Sequence, residues 1–79
     1  QHSYQIYSFY QKEFTMEILE TAIEAAYKAH VSSLYKVLSQ SLLSANGDLN
    51  EISAAEIRFK KGLDFAADVR VKAKAAAGL

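Results

Sequence analysis

A single interruption of six residues divides this 79-residue chain into two long segments. Residues 45–50 read ANGDLN, and the sequence contains no proline that would break the segments on either side. Asn46 and Gly47 both tolerate positive φ, and a glycine in the left-handed region commonly ends a helix. The pattern therefore predicts that one helix ends near Ser44 and that a second begins at residues 48–50.

The segment before the interruption carries apolar residues at helical spacing. When residues 16–45 are projected at about 100° per residue, one broad apolar face forms. Small residues lie beside this face at Ala22, Ala25 and Ala29, where the backbone of another helix could approach closely. Two apolar surfaces on one helix predict more than one packing neighbour. The broad face consists of Met16, Leu19, Ile23, Ala26, Tyr27, Leu34, Val37 and Leu38.

The segment after the interruption has one apolar stripe that includes several small residues. Asp48 stands three residues before Glu51, a spacing typical of a helix N-cap. Ile57 and Val71 fall outside the stripe, so a simple hairpin would leave them in water, and they are candidates for a second contact. The stripe, which we predict to be the core face, consists of Ile52, Ala55, Phe59, Gly62, Leu63, Ala66, Val69 and Ala73.

The N-terminal segment is rich in aromatic residues. Their spacing of three and four positions predicts one continuous helix that begins at about Ser3. The alternative is a short N-terminal helix followed by a new one capped by Thr15. The residues that define the spacing are Tyr4, Tyr7, Tyr10, Phe14 and Ile18.

The two predicted helices are too long to form a compact hairpin. A helix of about 30 residues is about 45 Å long, whereas a compact domain of this size has a radius of gyration of about 12 Å. Because a lone antiparallel hairpin would leave half of its apolar surface in solvent, we expect residues 1–79 to form one all-α domain that pairs as a homodimeric four-helix bundle with coiled-coil-like packing. The alternative is a monomeric three-helix bundle with a break at residues 30–33, where Ser32 or Ser33 would be the N-cap.

Composition excludes several classes of protein. With 51% hydrophobic and 23% charged residues, the chain is predicted to fold rather than to stay disordered. The absence of cysteine excludes a disulfide framework and thiolate metal sites. It leaves the cellular compartment open, with the cytoplasm as the preferred expectation. No apolar run reaches the roughly 18 residues of a membrane span, so we expect no membrane association.

No residue pattern indicates an enzyme, a metal site or a cofactor. His30 lies on the broad apolar face, where an imidazole can titrate near neutral pH or bind a metal. Only Tyr27 and Ser41 lie near enough to assist, so a packed core or interface histidine is the preferred interpretation. Four glutamates share one side of the helix but lack the Glu-x-x-His partners of di-iron bundles. The four are Glu13, Glu17, Glu20 and Glu24. We interpret Glu20 and Glu24 as a solvated face on which Glu24 pairs with Lys28.

A mildly basic second half raises nucleic-acid binding as an alternative function. Arg58, Lys61 and Arg70 are the candidate phosphate contacts. Against this function, the chain has nine basic and nine acidic residues. Acidic residues also stand four positions from several lysines and neutralise much of the positive charge. These pairs are Glu56–Lys60, Lys60–Asp64 and Asp68–Lys72.

The favoured prediction is association with protein. Aromatic residues are enriched at protein interfaces, and they crowd the N-terminal segment. We therefore predict a non-enzymatic interaction or oligomerisation module that acts as a scaffold, chaperone or assembly subunit. Its partner would be a second copy of the chain, another protein, or both. The predicted interface consists of Tyr7, Tyr10, Phe14, Leu19, Ile23, Leu34, Leu38, Phe59, Leu63 and Ala66.

Overall fold

The structure is a helical hairpin. The computed structural model describes the backbone of residues 2–79 and the side chains of residues 11–79. Helix α1 spans His2–Ala45 and helix α2 spans Leu49–Ala76, with no strand in the described backbone. The predicted all-α hairpin is confirmed, and both helix boundaries at the turn lie where the sequence predicts them.

Helix α1 runs without a break. Residues 30–33 are helical, so the described chain lacks the break that a three-helix bundle requires, and that alternative is wrong for this structure. No new helix begins at Thr15, whose hydroxyl donates to the carbonyl oxygen of Gln11 at 3.0 Å. Such a bond to the carbonyl four residues earlier forms inside helices. Because α1 contains neither proline nor glycine, no residue in it forces a break.

Two residues with positive φ and one capping carboxylate build the turn. Asn46 has φ 49° and Gly47 has φ 86°, which lets the chain reverse within three residues. The Asp48 carboxylate then accepts hydrogen bonds from the amides of Asn50 at 2.9 Å and Glu51 at 3.1 Å. These amides belong to the first turn of α2, where no helical carbonyl is available to them.

The two helices meet along a seam in which small residues bring the backbones close together. Ala55 and Ala66 of α2 keep only 3% and 2% of their exposure. A Cβ atom at Gly62 would lie 2.6 Å from the Cδ2 atom of Leu34, so α2 approaches α1 closely where glycine provides space. We define the seam by these α2 residues and by the half-buried α1 residues that line it. They are Met16, Ile23, Tyr27, Val31, Leu34 and Leu38.

The hairpin is a single layer of two helices. Its Cα atoms extend over 70 × 17 × 8 Å with a radius of gyration of 19.6 Å, against about 12 Å for a compact domain of this length. A domain core normally needs two layers. Accordingly, the buried hydrophobic residues among the described side chains are Ala45, Ala55 and Ala66, and no large side chain in that range is fully buried.

The N-cap of α2 should contribute measurably to stability. Asp48→Ala removes the carboxylate that accepts the two amide hydrogen bonds, and we expect it to lower the free energy of unfolding by about 1 kcal/mol. Urea denaturation followed by circular dichroism measures the difference. Asp48→Asn keeps a side-chain acceptor and is the control, expected to retain most of the stability. Equal losses in the two variants would contradict the cap.

The close approach at Gly62 gives a second prediction. In an open helix, glycine to alanine stabilises by about 1 kcal/mol, but at Gly62 the new methyl group would displace Leu34. We expect Gly62→Ala to bring no gain in the wild-type chain, and a gain at least about 0.5 kcal/mol larger in a Leu34→Val background, where the δ-methyl groups are absent. Urea denaturation of the four chains measures this coupling, and identical effects in both backgrounds would show that the two positions do not touch.

Candidate functional site

One side of the hairpin presents apolar side chains to solvent. The residues on α1 are seven, four, three and four positions apart, which places them in one row beside the seam. Those on α2 are four positions apart and lie on the same side. We call this surface the apolar face. It consists of Leu19, Ala26, His30, Ser33 and Val37 of α1 and Phe65 and Val69 of α2.

Leu19, Ala26 and Val37 of the apolar face belong to what the sequence predicts as one broad face of α1. Since α2 is the one other helix in the described chain, it covers a single stripe of α1 and leaves the neighbouring stripe in solvent. Val37 keeps 62% of its exposure, and Phe65 across the seam also keeps 62%. The predicted face therefore divides into two, the covered seam and the uncovered apolar face.

His30 and Phe65 join the two helices near the middle of the apolar face. Their ring centroids are 6.3 Å apart and their planes meet at 84°, an edge-to-face arrangement that aromatic rings favour. His30 is half-buried and Phe65 is exposed. Phe65 is missing from the predicted core stripe because it lies beside that stripe. Only its position opposite His30, which depends on how the two helices align, assigns it to this surface.

The opposite side of the hairpin carries a cluster of charges. The Oε1 atom of Glu24 lies 2.7 Å from Nη2 of Arg70 and 2.6 Å from Nζ of Lys74, and the Nε atom of Arg70 donates to the same oxygen at 2.8 Å. The Arg70 guanidinium also lies 5.1 Å from the ring centre of Tyr27, within cation–π range. Lys74 reaches Glu20 at 3.8 Å. We call Glu20, Glu24, Arg70 and Lys74 the clamp.

The clamp shifts the proton affinity of Glu24 and of Arg70. The hydrogen bond from Lys74, followed by that from Arg70, holds the pKa of Glu24 below its ordinary value. The hydrogen bond to Glu24 in turn raises the pKa of Arg70. The predicted pair of Glu24 with Lys28 is not among the described ion pairs. Spacing within α1 predicted that pair, but the alignment of α2 against α1 decides which cations Glu24 meets.

The structure does not gather the three basic residues predicted to contact nucleic acid. Arg70 is half-buried and bound to Glu24. Arg58 and Lys61 are exposed, and neither forms an ion pair within the described side chains. Two of the predicted ion pairs along α2 do form, which lowers the positive charge of its outer surface. They are Lys60–Asp64 at 2.8 Å and Asp68–Lys72 at 2.9 Å.

The residues predicted as an interface fall into separate places. Phe14 and Leu19 are exposed, and Leu19 belongs to the apolar face. Tyr7 and Tyr10 lie outside the described side chains. The remaining residues lie on the sides of the helices that meet at the seam, where Ala66 is buried and the others are half-buried. They are Ile23, Leu34, Leu38, Phe59, Leu63 and Ala66.

Polar residues line a depression at the turn end of the hairpin. Its volume is about 360 Å³, and its lining includes Ser41, Ser44, Glu51 and Arg58. No hydrogen bond in the described structure links these side chains into the nucleophile–base pair that covalent catalysis uses. No group of three or more metal-ligating side chains gathers among the described residues. In the described part of the chain, neither helix has the length and hydropathy needed to cross a membrane.

Comparison with known proteins adds no functional information. No protein-family model, curated protein or solved structure matches this chain. The contrast between the apolar face and the charged clamp, on opposite sides of one layer, is therefore the feature from which a function can be inferred.

The clamp should stabilise the hairpin in a pH-dependent way. Because the pKa of Glu24 in the folded chain is below its ordinary value of 4.5, its contribution is present above that value and is lost as the pH falls through the lowered pKa. We expect Glu24→Gln to lower the melting temperature at about pH 7, and to lower it progressively less as the pH falls below 4.5. Thermal unfolding followed by circular dichroism measures both.

The matched control for the clamp is Glu17→Gln. Glu17 is exposed, lies on α1 two helical turns before Glu24, and forms no ion pair within the described side chains. The substitution Glu17→Gln changes the net charge by the same amount as Glu24→Gln. A similar loss of melting temperature in both variants at neutral pH would attribute the effect to net charge and not to the clamp.

Proposed function

We propose that this chain is a non-enzymatic association module in which two hairpins pack apolar face to apolar face and form a homodimeric four-helix bundle. One observation carries the proposal. Val37 of α1 and Phe65 of α2 are both more than 60% exposed on one side of a molecule that has a single layer. Continuous exposed apolar surface of this kind marks interaction sites.

The total exposed area supports a partner of substantial size. The hairpin exposes 6434 Å², whereas a compact monomer of 8.8 kDa exposes about 4,800 Å². The excess of about 1,600 Å² is larger than the roughly 800 Å² that each partner buries in a standard interface. A second hairpin on the apolar face would provide the second layer that a helical core needs.

The chemistry of the apolar face favours a second copy of the chain. A two-fold interface packs a surface against itself, and the residues that define this face are uncharged apart from His30. Arg58 lies in the same row of α2, seven positions before Phe65, and adds one positive charge toward the turn end. Phe65 and Val37 project from it, while Ala26 and Ser33 leave space for projecting residues of the partner. The chain carries no net charge, so two copies have no strong long-range repulsion to overcome.

The clamp supports the choice of this face over the opposite one. Burying the clamp would remove several ionised groups from water, at a cost that is large unless every charge stays paired. Burying the apolar face removes apolar area from water, which is the main source of association energy. Nucleic-acid binding has less support, because Arg70 is already bound to Glu24 and the two remaining candidates provide few phosphate contacts.

A charge placed on the apolar face should prevent dimerisation without unfolding the hairpin. Val37 is already 62% exposed in the single chain, so Val37→Lys costs the hairpin little, whereas a dimer would bury two copies of the new charge. We expect the dissociation constant to rise at least about tenfold, which corresponds to about 1.4 kcal/mol. Sedimentation equilibrium across micromolar concentrations measures it, with circular dichroism to check helix content.

Val71→Lys is the matched control. Val71 is 64% exposed and lies on the outer side of α2, away from the apolar face, so the substitution adds the same charge at the same exposure. We expect it to dimerise like the wild type. A wild-type chain that is a stable monomer at these concentrations would overturn the proposed function, and equal weakening by both substitutions would contradict the assignment of the face.

A further inference from the structure

We infer that the proposed dimer is acid-sensitive, and that His30, at the centre of the apolar face, is the group that makes it so. This inference rests on the proposed function and adds its regulation. The association would hold at neutral and mildly basic pH and weaken as the imidazole gains a proton. Two observations support it, the position of His30 and the charges around the ring, together with two arguments, from the symmetry of the proposed dimer and from the direction of proton linkage.

His30 lies near the middle of the apolar face. Along α1, Leu19 and Val37 mark the ends of the face, and their midpoint is within about 3 Å of His30 at 1.5 Å per residue. Across the seam the ring meets Phe65 at 6.3 Å between centroids. The imidazole is half-buried in the single chain, so a second hairpin laid on this face would cover it further.

Symmetry brings the two His30 residues of a dimer to the same level or close to it. If the two-fold axis runs along the hairpin, each residue lies level with its own copy. If the axis instead crosses the hairpin at the centre of the face, residues near the centre meet their own copies, and the two His30 positions differ by about 6 Å along the helices. In both arrangements the two imidazoles approach each other under the covering layer.

The charged groups around His30 offer an imidazolium ion no ready partner. On α1 the glutamates at 13, 17, 20 and 24 belong by helical spacing to the clamp side, and Tyr27 lies in the seam. On α2 the groups flanking Phe65 are Lys61 and Asp68, and Asp68 is bound to Lys72 at 2.9 Å. Beyond them, Arg58 on α2 and Lys36 on α1 add positive charge. The partner hairpin would present the same set.

Proton linkage then fixes the direction of the effect. A covered imidazole without a carboxylate partner favours its neutral form, so the dimer binds fewer protons than two separate chains. Association is therefore strongest above the ordinary titration range of histidine, about pH 6.5, and weakens as the pH falls through it. Carboxylates titrate at about pH 4, so a range that stops at about pH 5.5 isolates the histidine.

The test measures the dissociation constant of the wild-type chain by sedimentation equilibrium at about pH 8 and about pH 5.5, with helix content checked at both. With neither imidazole protonated in the dimer, two linked protons would weaken association by up to roughly 100-fold at the lower pH. We expect a loss of at least about tenfold with helix content unchanged. His2→Gln, which removes the other histidine of the chain, should behave as the wild type.

Two variants at His30 decide the assignment. His30→Gln stays neutral and should dimerise to the same extent at both pH values, while His30→Lys carries a permanent charge and should be largely monomeric at both with its helices intact. If His30→Gln weakens the dimer at neutral pH, His30→Leu supplies the same comparison with an apolar side chain.

The outcomes separate this inference from the proposed function. A wild-type monomer at about pH 8 overturns the proposed function itself. Three results overturn the inference and leave the dimer in place. The first is a wild-type dimer whose dissociation constant does not change with pH. The others are a dimer of His30→Gln or His30→Leu that keeps the wild-type pH dependence, and a loss of helix content at the lower pH.

Discussion

The rest of this structure depends on how much of α1 one helix can cover. A helix packed against another shields one stripe of its surface, and α1 has apolar residues over an arc wider than that stripe. Helix α2 therefore covers the seam residues of α1, from Met16 to Leu38, and leaves Leu19, Ala26 and Val37 in solvent. The single layer, the large exposed area and the uncovered apolar face all follow because α2 is the one helix of the described chain that packs against α1.

The seam itself is formed by close backbone approach more than by large buried side chains. Gly62 sits against Leu34, and Ala55 and Ala66 are the most buried residues of α2. Small residues let the helices approach, yet each removes little apolar area from water, and hydrophobic stabilisation scales with that area at about 25 cal/mol per Å². A hairpin held in this way gains folding stability from any partner that covers it, since binding to the folded state alone shifts the folding equilibrium. In the proposed dimer, association and folding would therefore be coupled.

The sequence could predict the parts of the fold that depend on residues close together along the chain. Asn46, Gly47 and Asp48 mark the turn because positive φ and capping are properties of single residues, and the stripe of α2 follows from helical periodicity. The alignment of the two helices is not local. It decides that Glu24 meets Arg70 and Lys74, and that His30 meets Phe65. Periodicity also gave no means of telling the part of the α1 face that α2 covers from the part it leaves open.

The clamp and the apolar face depend on the same alignment and therefore act together. The ion pairs of Glu24 hold α2 at one position along α1 on the charged side, and that position sets which residues of α2 stand beside His30 on the apolar side. A slip of α2 by one turn, about 5.4 Å, would break part of the clamp, because Glu24 would keep at most one of its two cations, and it would also move Phe65 away from the imidazole. The ion pairs are partly exposed and so contribute little energy by themselves. Because a slip would break some of these pairs, the energy that they do contribute favours the observed alignment of the two helices.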